Sequence, residues 1–283
     1  MKNAIRSVSV SALCAVLLAG CGSGSAAAAS ASASADANTL RVGMECNYAP
    51  YNWTTTEKTD TSQQITSVDY CDGYDVMMAE KLAEKTNKQV KIVKLDWDNL
   101  ILSLQNNQID AIIAGMTDTE EREQEVAFTT PYYVSTEVII VEKDSDLANA
   151  TSLEDFSGKK VIGQLNTLYD TIIDQIPNVQ HQPGAETFPA AIQALQSGAV
   201  DAVTSELPVA KGVVEANPDL TYITFEDGKG FTGADKDASV SVAVRKDDKD
   251  LLDSLQSALD TISDDEREQM METAVKNQPA SQD

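Results

Sequence analysis

An α/β protein of two lobes is the fold that this chain of 283 residues predicts. Three observations carry the expectation. Strand-like and helix-like stretches alternate from Leu40 to Ala114 in the order β-α-β-α-β. The alternation resumes after Val138. Ser239 to Arg245 then reads as a strand returning toward the first unit. Two crossings between two α/β units leave a cleft, and clefts between units are the usual place for a small ligand.

The chain begins outside that body. Lys2 and Arg6 precede an apolar run, Val8 to Leu18, too short to cross a bilayer core. This is a signal-peptide layout over residues 1–20. It ends Leu18-Ala19-Gly20-Cys21, which looks like a lipobox: Cys21 is diacylated and becomes the new N-terminus. The alternative is an ordinary secretory peptide with a chance cysteine. Residues 21–38 are almost all Ser, Ala and Gly, a flexible tether. The expected body runs from Thr39 to Asp283 and contains no second long apolar run.

The formal charge is −24, and removing residues 1–20 takes away two bases and no acids, giving −26. So acidic a surface repels nucleic acid and anionic lipid. Of four cysteines, Cys14 leaves with the signal peptide and Cys21 carries lipid. Cys46 and Cys71 remain as an even pair in an exported protein, and a disulfide between them is expected. Two buried free thiols are the alternative. There is no CxxC pair and one histidine, His181, so neither a metal site nor a cofactor is expected.

Taken in order, Leu40, Val42 and Met44 alternate as a first strand, stopped at Pro50 within the aromatic turn Tyr48 to Trp53. Thr54 to Ser67 reads as a loop or hairpin insertion. Gly73-Tyr74-Asp75 opens a helix with Val76, Ala79, Leu82 and Ala83 on its apolar face. Lys88 to Leu95 is a second strand. Asp96-Trp97-Asp98 caps a helix, and Ile109 to Ala114 is a third strand. Gly115 then breaks the run, and Thr117 with Glu120 has capping-box spacing for a helix carrying Arg122. Such a strand-to-helix junction offers backbone N–H and C=O groups beside a guanidinium, a setting for a small zwitterion. In the second unit, strands are expected at Lys159–Gly163, Val200–Val203 and Thr221–Phe225. Helices are expected from Thr167, from Pro189 and from Glu206. Leu251 to Ile262 is an amphipathic helix, and the tail from Gln278 reads as disordered. Ligands of open α/β sheets sit beyond strand carboxyl ends, so Tyr48, Trp97 and Gly115–Arg122 should converge.

These motifs, in this order, resemble the extracellular solute-binding proteins of family 3, the polar amino-acid receptors of ABC importers. The pieces that carry the resemblance are Tyr48-Ala49-Pro50-Tyr51, Gly73-Tyr74-Asp75-Val76, Trp97 to Ile101, Ile109 to Thr117, Thr119 to Arg122, Phe128-Thr129-x-Pro131-Tyr132 and Val200 to Val203 with Glu206-x-Pro208-Val209-Ala210. The resemblance implies a periplasmic-binding-protein-like fold of type II. Lobe one would comprise 39–136 and 238–283, and lobe two 137–237, each a mostly parallel sheet flanked by helices.

It also implies roles. Arg122 grips the ligand's α-carboxylate, as does Thr167 at a helix start in lobe two. Glu206 takes the α-ammonium, as do the Gly115 carbonyl and the Thr117 hydroxyl. Tyr48 is an aromatic platform and Trp97 the opposite wall. Glu45 meets a distal cation. Asn166-Thr167-Leu168 departs from the family's frequent Gly-Thr-Thr. The implied partners are a polar amino acid, cationic ones included, an ABC permease with its ATPase subunits, and a membrane reached through the lipid on Cys21. A monomer on a Gram-positive surface, without enzymatic activity, is expected. A surface sensor without transport and a dehydratase on the same fold are the competing readings.

Overall fold

The computed structural model describes residues 38–232 and 239–279. The signal peptide, Cys21, the tether up to residue 37 and the tail from residue 280 lie outside the described residues. No helix among the described residues is long and apolar enough to cross a membrane.

In chain order the first part holds β1 (Thr39–Met44), β2 (Asn47–Tyr48), β3 (Asn52–Thr55), β4 (Gln63–Gln64), β5 (Tyr70–Asp72) and α1 (Tyr74–Lys85). Then come β6 (Gln89–Lys94), α2 (Leu100–Gln105), β7 (Ala111–Ile112), α3 (Glu120–Glu125) and β8 (Ala127–Val134). The second part holds β9 (Glu137–Glu142), β10 (Lys160–Ile162), α4 (Leu168–Thr171), β11 (Gln180–His181), α5 (Phe188–Gln196), β12 (Ala202–Glu206), α6 (Leu207–Ala216) and β13 (Leu220–Ile223). The chain finishes with β14 (Ser239–Val244), α7 (Lys249–Leu259) and α8 (Asp264–Asn277).

The strands form two five-stranded sheets, ordered β6-β1-β7-β14-β8 and β11-β10-β12-β9-β13. In the first, β1 runs parallel to β6 and β7, and β14 pairs antiparallel with β7 and β8. In the second, β10 runs parallel to β11 and β12, and β9 pairs antiparallel with β12 and β13. Each sheet therefore has four strands pointing one way and one inserted against them. The inserted strands, β9 and β14, are those that follow a crossing. A third small sheet, β2-β3-β5-β4, spans 47–72, and the predicted insertion, Thr54 to Ser67, supplies only the end of β3 and β4.

Local chemistry explains the elements. Leu40, Val42 and Met44 are fully buried, as their alternation predicts. β14 also alternates in sequence, yet all six residues are buried, because it lies inside its sheet with both faces covered. Asp110 fixes β7 beside β1: its carboxylate accepts from Arg41 Nη2 at 2.6 Å, Arg41 Nε at 2.9 Å and the Arg41 N–H at 2.9 Å. One continuous core joins the facing sides of the sheets, from Leu40 and Tyr48 to Phe188 and Val203.

Four expectations need correction, and one element was not foreseen. The helix at Arg122 starts at Thr119, whose hydroxyl accepts from the Arg122 N–H; Thr117 lies two residues too early, still in the extended exit from β7. Asp96 makes no side-chain cap, and Trp97–Asn99 is a 3₁₀ turn. The third strand pairs only over Ala111–Ile112. Finally, α8 was not foreseen. Its cap, Ser263, accepts from the Glu266 N–H, and Lys81 of α1 pairs with Glu266. Its weakly amphipathic interior hid it, although Ser263 followed by three acids is a helix-start signal. Gln278, expected to open a disordered tail, is ordered: its N–H donates to the Ala274 carbonyl.

Candidate functional site

The site is assembled from the carboxyl ends of strands on both sheets. Glu45 and Tyr48 follow β1, Trp97 follows β6, and Gly115, Thr117 and Arg122 follow β7. From the other sheet, Gln164, Thr167, Leu168 and Tyr169 follow β10 and Phe188 opens α5. These residues, with Ala114, line one cavity. Seven of the eight expected ligand residues are on its wall. About 20 Å³ of it is open to the centre of a water molecule, room for about one water. The cleft is closed.

The first wall is stiff. Cys46 sits in the left-handed region at φ 51° and is bonded to Cys71. The disulfide thus staples the β1 exit to the small hairpin sheet. The Tyr48 ring stacks on Tyr51, with centroids 5.6 Å apart and planes 5° apart, and meets Phe188 edge-on at 5.5 Å. Gly115, at φ 59°, lies flat against that ring: a Cβ there would come within 3.2 Å of Tyr48 Cε1. Tyr51, Trp53 and Tyr74 are core residues.

Arg122 is the cation of the cavity. Its Nη1 donates to the Thr117 carbonyl at 2.8 Å and its Nη2 to the Asn166 carbonyl at 3.1 Å. Its guanidinium carbon stands 5.1 Å from the centroid of the Trp97 ring. No carboxylate lies within ion-pair distance of it among the described residues. Burial lowers its pKa to about 10, with Glu121 and Tyr169 opposing, so it stays charged at neutral pH.

Glu45 is the exposed-looking acid that turns out buried, at 6%. Gln164 Nε2 donates to both its oxygens, at 3.3 and 3.2 Å, from the opposite lobe. Burial pushes its pKa up to about 6; Gln164 and Lys94 oppose this, and Asp96 and Asp98 add to it.

Asn166 joins the lobes at the rim. It occupies the left-handed region at φ 58°, which asparagine tolerates as glycine does. Its departure from the family's glycine therefore keeps the backbone shape. The turn aims the Asn166 carbonyl at both Arg122 and Trp97 Nε1, the latter at 3.1 Å, while its Nδ2 donates to Asp98 Oδ1 at 2.9 Å. Thr167 caps α4: its hydroxyl accepts from the Asp170 N–H at 3.4 Å and donates to the Gln164 carbonyl at 2.7 Å. Close approach at Gly163 permits this, since a Cβ there would meet the Asp170 nitrogen at 2.7 Å.

Glu206 is the residue the structure does not bring to the wall. It is wholly buried behind Tyr48. Its Oε1 accepts from the Tyr48 hydroxyl and its Oε2 from the Tyr51 hydroxyl, both at 2.6 Å. Burial raises its pKa, with the tyrosine hydroxyls holding it down. His181 is likewise not at the site; it bridges Asp170 at 3.1 Å and Asp174 at 2.9 Å on the second lobe.

Sequence reasoning missed Gln164, Leu168, Tyr169 and Phe188 as lining residues. Gln164 had a signal, because it stands just past β10 as Glu45 stands past β1, and the strand-end rule applies to both. Phe188 had none, since an aromatic residue at a helix start is as readily core.

Comparison with known proteins agrees with this geometry. Residues 40–275 match the bacterial extracellular solute-binding proteins, family 3. A probable histidine-binding protein of Campylobacter jejuni is 33% identical over 198 residues, 69% of this chain and 72% of the relative. A putative ABC transporter arginine-binding protein of Escherichia coli is 30% identical over 233 residues, 81% of this chain and 87% of the relative. Among solved structures, an amino-acid ABC transporter substrate-binding protein of Streptococcus pneumoniae bound to L-arginine aligns with TM-score 0.72 at 28% identity, covering 87% of this chain and 97% of that one. An ancestral arginine-binding protein bound to glutamine aligns with TM-score 0.69 at 31% identity, covering 83% and 97%. The two sheets, the closed cleft between them and the match across nearly the whole described body lead to one conclusion: the chain belongs to the bacterial extracellular solute-binding proteins, family 3.

Proposed function

We propose that this protein is the receptor of an ABC importer for a basic amino acid. One observation carries the choice of ligand. A half-buried cation, Arg122, and a buried acid, Glu45, line the same cavity, and neither has an ion-pair partner there. A buried acid and a partly desolvated guanidinium held apart are costly unless a ligand completes both. An amino acid with a cationic side chain does so. Its α-carboxylate takes the Arg122 fork, which a lysine could not reproduce. Its distal cation takes Glu45, beside the Gln164 side chain. Its α-ammonium takes the Gly115 carbonyl and the Thr117 hydroxyl. Glu206 supplies compensating negative charge from behind the Tyr48 hydroxyl. Tyr48 and Trp97 cover the apolar stem, and Thr167 closes the carboxylate end from lobe two.

The role is binding and handover, with no chemical step. The relatives named as histidine- and arginine-binding proteins support the ligand class. We assign lobe one to 39–136 and 238–283 and lobe two to 137–237; sheet membership of the strands supports this. The receptor acts as a monomer outside the cell membrane, held by lipid on Cys21 at a Gram-positive surface, and docks on a permease served by ATPase subunits.

A thermal-shift screen of the common amino acids tests the ligand class, since a ligand that binds only the folded form raises its stability. L-Arginine, L-lysine or L-histidine should raise the melting temperature most, and glutamine and cystine less. A larger shift with glutamine or with an acidic amino acid would overturn the reading. Uptake of the bound amino acid by a strain lacking the gene separates transport from sensing.

A further inference from the structure

The cavity wall at Gly115 is held from behind by groups that never face the cavity. The Gly115 N–H donates to the Tyr132 hydroxyl at 3.1 Å. That hydroxyl donates to Asp75 Oδ1 at 2.6 Å. Asp75 Oδ2 accepts from Asn52 Nδ2 at 2.7 Å, and the Asp75 N–H donates to the Tyr51 carbonyl at 2.8 Å. Tyr74 holds the same segment, donating from its hydroxyl to the Tyr132 carbonyl at 3.0 Å. Asp75, Asn52, Tyr132 and Tyr74 are all completely buried.

A buried carboxylate without a cation is a costly choice for a core, and Asp75 has no ion-pair partner among the described residues. Its burial pushes its pKa to about 7, with Tyr132 and Asn52 opposing. An apolar residue would fill the space more cheaply. What the carboxylate adds is direction. A phenol can either donate or accept toward Gly115. An acceptor that takes its proton leaves only lone pairs for the Gly115 N–H. One residue on, the Met116 carbonyl accepts from the Ser241 N–H at 2.9 Å. The peptides on either side of the one between Gly115 and Met116 are thus both held. The Gly115 carbonyl belongs to the peptide between them, and the two held neighbours limit how far it can turn.

We propose that Asp75 and Tyr132 are positioning residues for the ligand: through the Gly115 N–H they set the direction of the Gly115 carbonyl and so the recognition of the α-ammonium. The proposal rests on the reading of Gly115 as an ammonium acceptor. It concerns residues that do not touch the ligand.

The test compares L-arginine with 5-guanidinopentanoate, the same molecule without its α-ammonium, by calorimetry. Wild type should prefer arginine. Tyr132→Phe should lose roughly tenfold in arginine affinity, the size of one hydrogen bond to a charged group, and less than about threefold for the analogue. Asp75→Ala should narrow the preference in the same way and serves if Tyr132→Phe does not fold. Asp75→Asn should restore most of it, because its amide oxygen still accepts from Tyr132. Its amide nitrogen can face Asn52 Oδ1, which has no hydrogen-bond partner, once that side chain flips. Equal loss for both ligands, or no loss for either, would overturn the proposal. A wild type that binds both ligands alike would overturn the ammonium role of Gly115 itself.

Discussion

Matched by sheet order, β1, β6, β7, β14 and β8 of the first lobe correspond to β10, β11, β12, β9 and β13 of the second. The strand ends that face each other are nevertheless furnished differently. Past β1, the turn is bonded covalently at Cys46, stacked through Tyr48 and Tyr51, and backed by Tyr74, Tyr132 and Tyr133. Past β10, the turn at Asn166 and Thr167 is held by hydrogen bonds, several of which reach across to the other lobe. The first lobe is the more strongly braced half, although Tyr48 and Tyr51 also reach Glu206 of the second. The second obtains part of its order from closure. A receptor needs that asymmetry, because a ligand must find one half of its site formed before the other arrives.

The strongest way to break the comparison is to empty the platform. Arg122→Ala should weaken binding of a basic amino acid by roughly 2–5 kcal/mol, since the ligand carboxylate is left buried and unpaired. Calorimetry that finds affinity within a few-fold of wild type would remove Arg122 from the site. Next is the staple. The Cys46–Cys71 bridge spans a sequence separation of 25, and replacing both cysteines by serine should cost roughly 3–4 kcal/mol of stability on the chain-entropy account. Chemical denaturation reads this directly. An unchanged midpoint would mean that the aromatic stack alone keeps the platform rigid.

The smallest expected effect lies where the lobes meet, at Glu45. Its pKa of about 6 lies above its ordinary 4.5, so its contribution to stability is present below pH 4.5 and lost as pH rises through about 6. That amounts to roughly 2 kcal/mol. Glu45→Gln should therefore gain melting temperature on ligand-free wild type between about pH 5 and pH 7.5. A cationic ligand works in the opposite sense, because it favours the charged carboxylate. The thermal shift that arginine produces in wild type should shrink as pH falls below about 6. Equal shifts at both pH values would take the distal cation away from Glu45.

The platform was far more legible in the sequence than the closing half. Arg122, Trp97, Tyr48 and Gly115 each follow a strand whose alternation or apolar run is plain, so position and chemistry could be read together. Thr119 was displaced to Thr117 because both threonines precede acids, and only backbone conformation separates a cap from a residue near one. Glu206 was readable as an acid at a helix start. Its reach to Tyr48 and Tyr51 was not, because the destination of a long side chain depends on partners distant in sequence. Gln164 was missed for the same reason, since its partner Glu45 lies in the other lobe. The helix at Asp264–Asn277 was missed because its charged residues blur the apolar stripe.

The closed cleft has a kinetic consequence. An amino acid cannot enter the inner cavity between Arg122 and Glu45 while the Asn166 carbonyl holds an Arg122 nitrogen and the tyrosine hydroxyls tether Glu206 across the gap. Capture must wait for the lobes to part. At high ligand concentration the observed rate of uptake into the cleft would then stop rising and level off at the frequency of that parting. The ceiling would be set by hydrogen bonds between lobes, without reference to which amino acid is waiting outside.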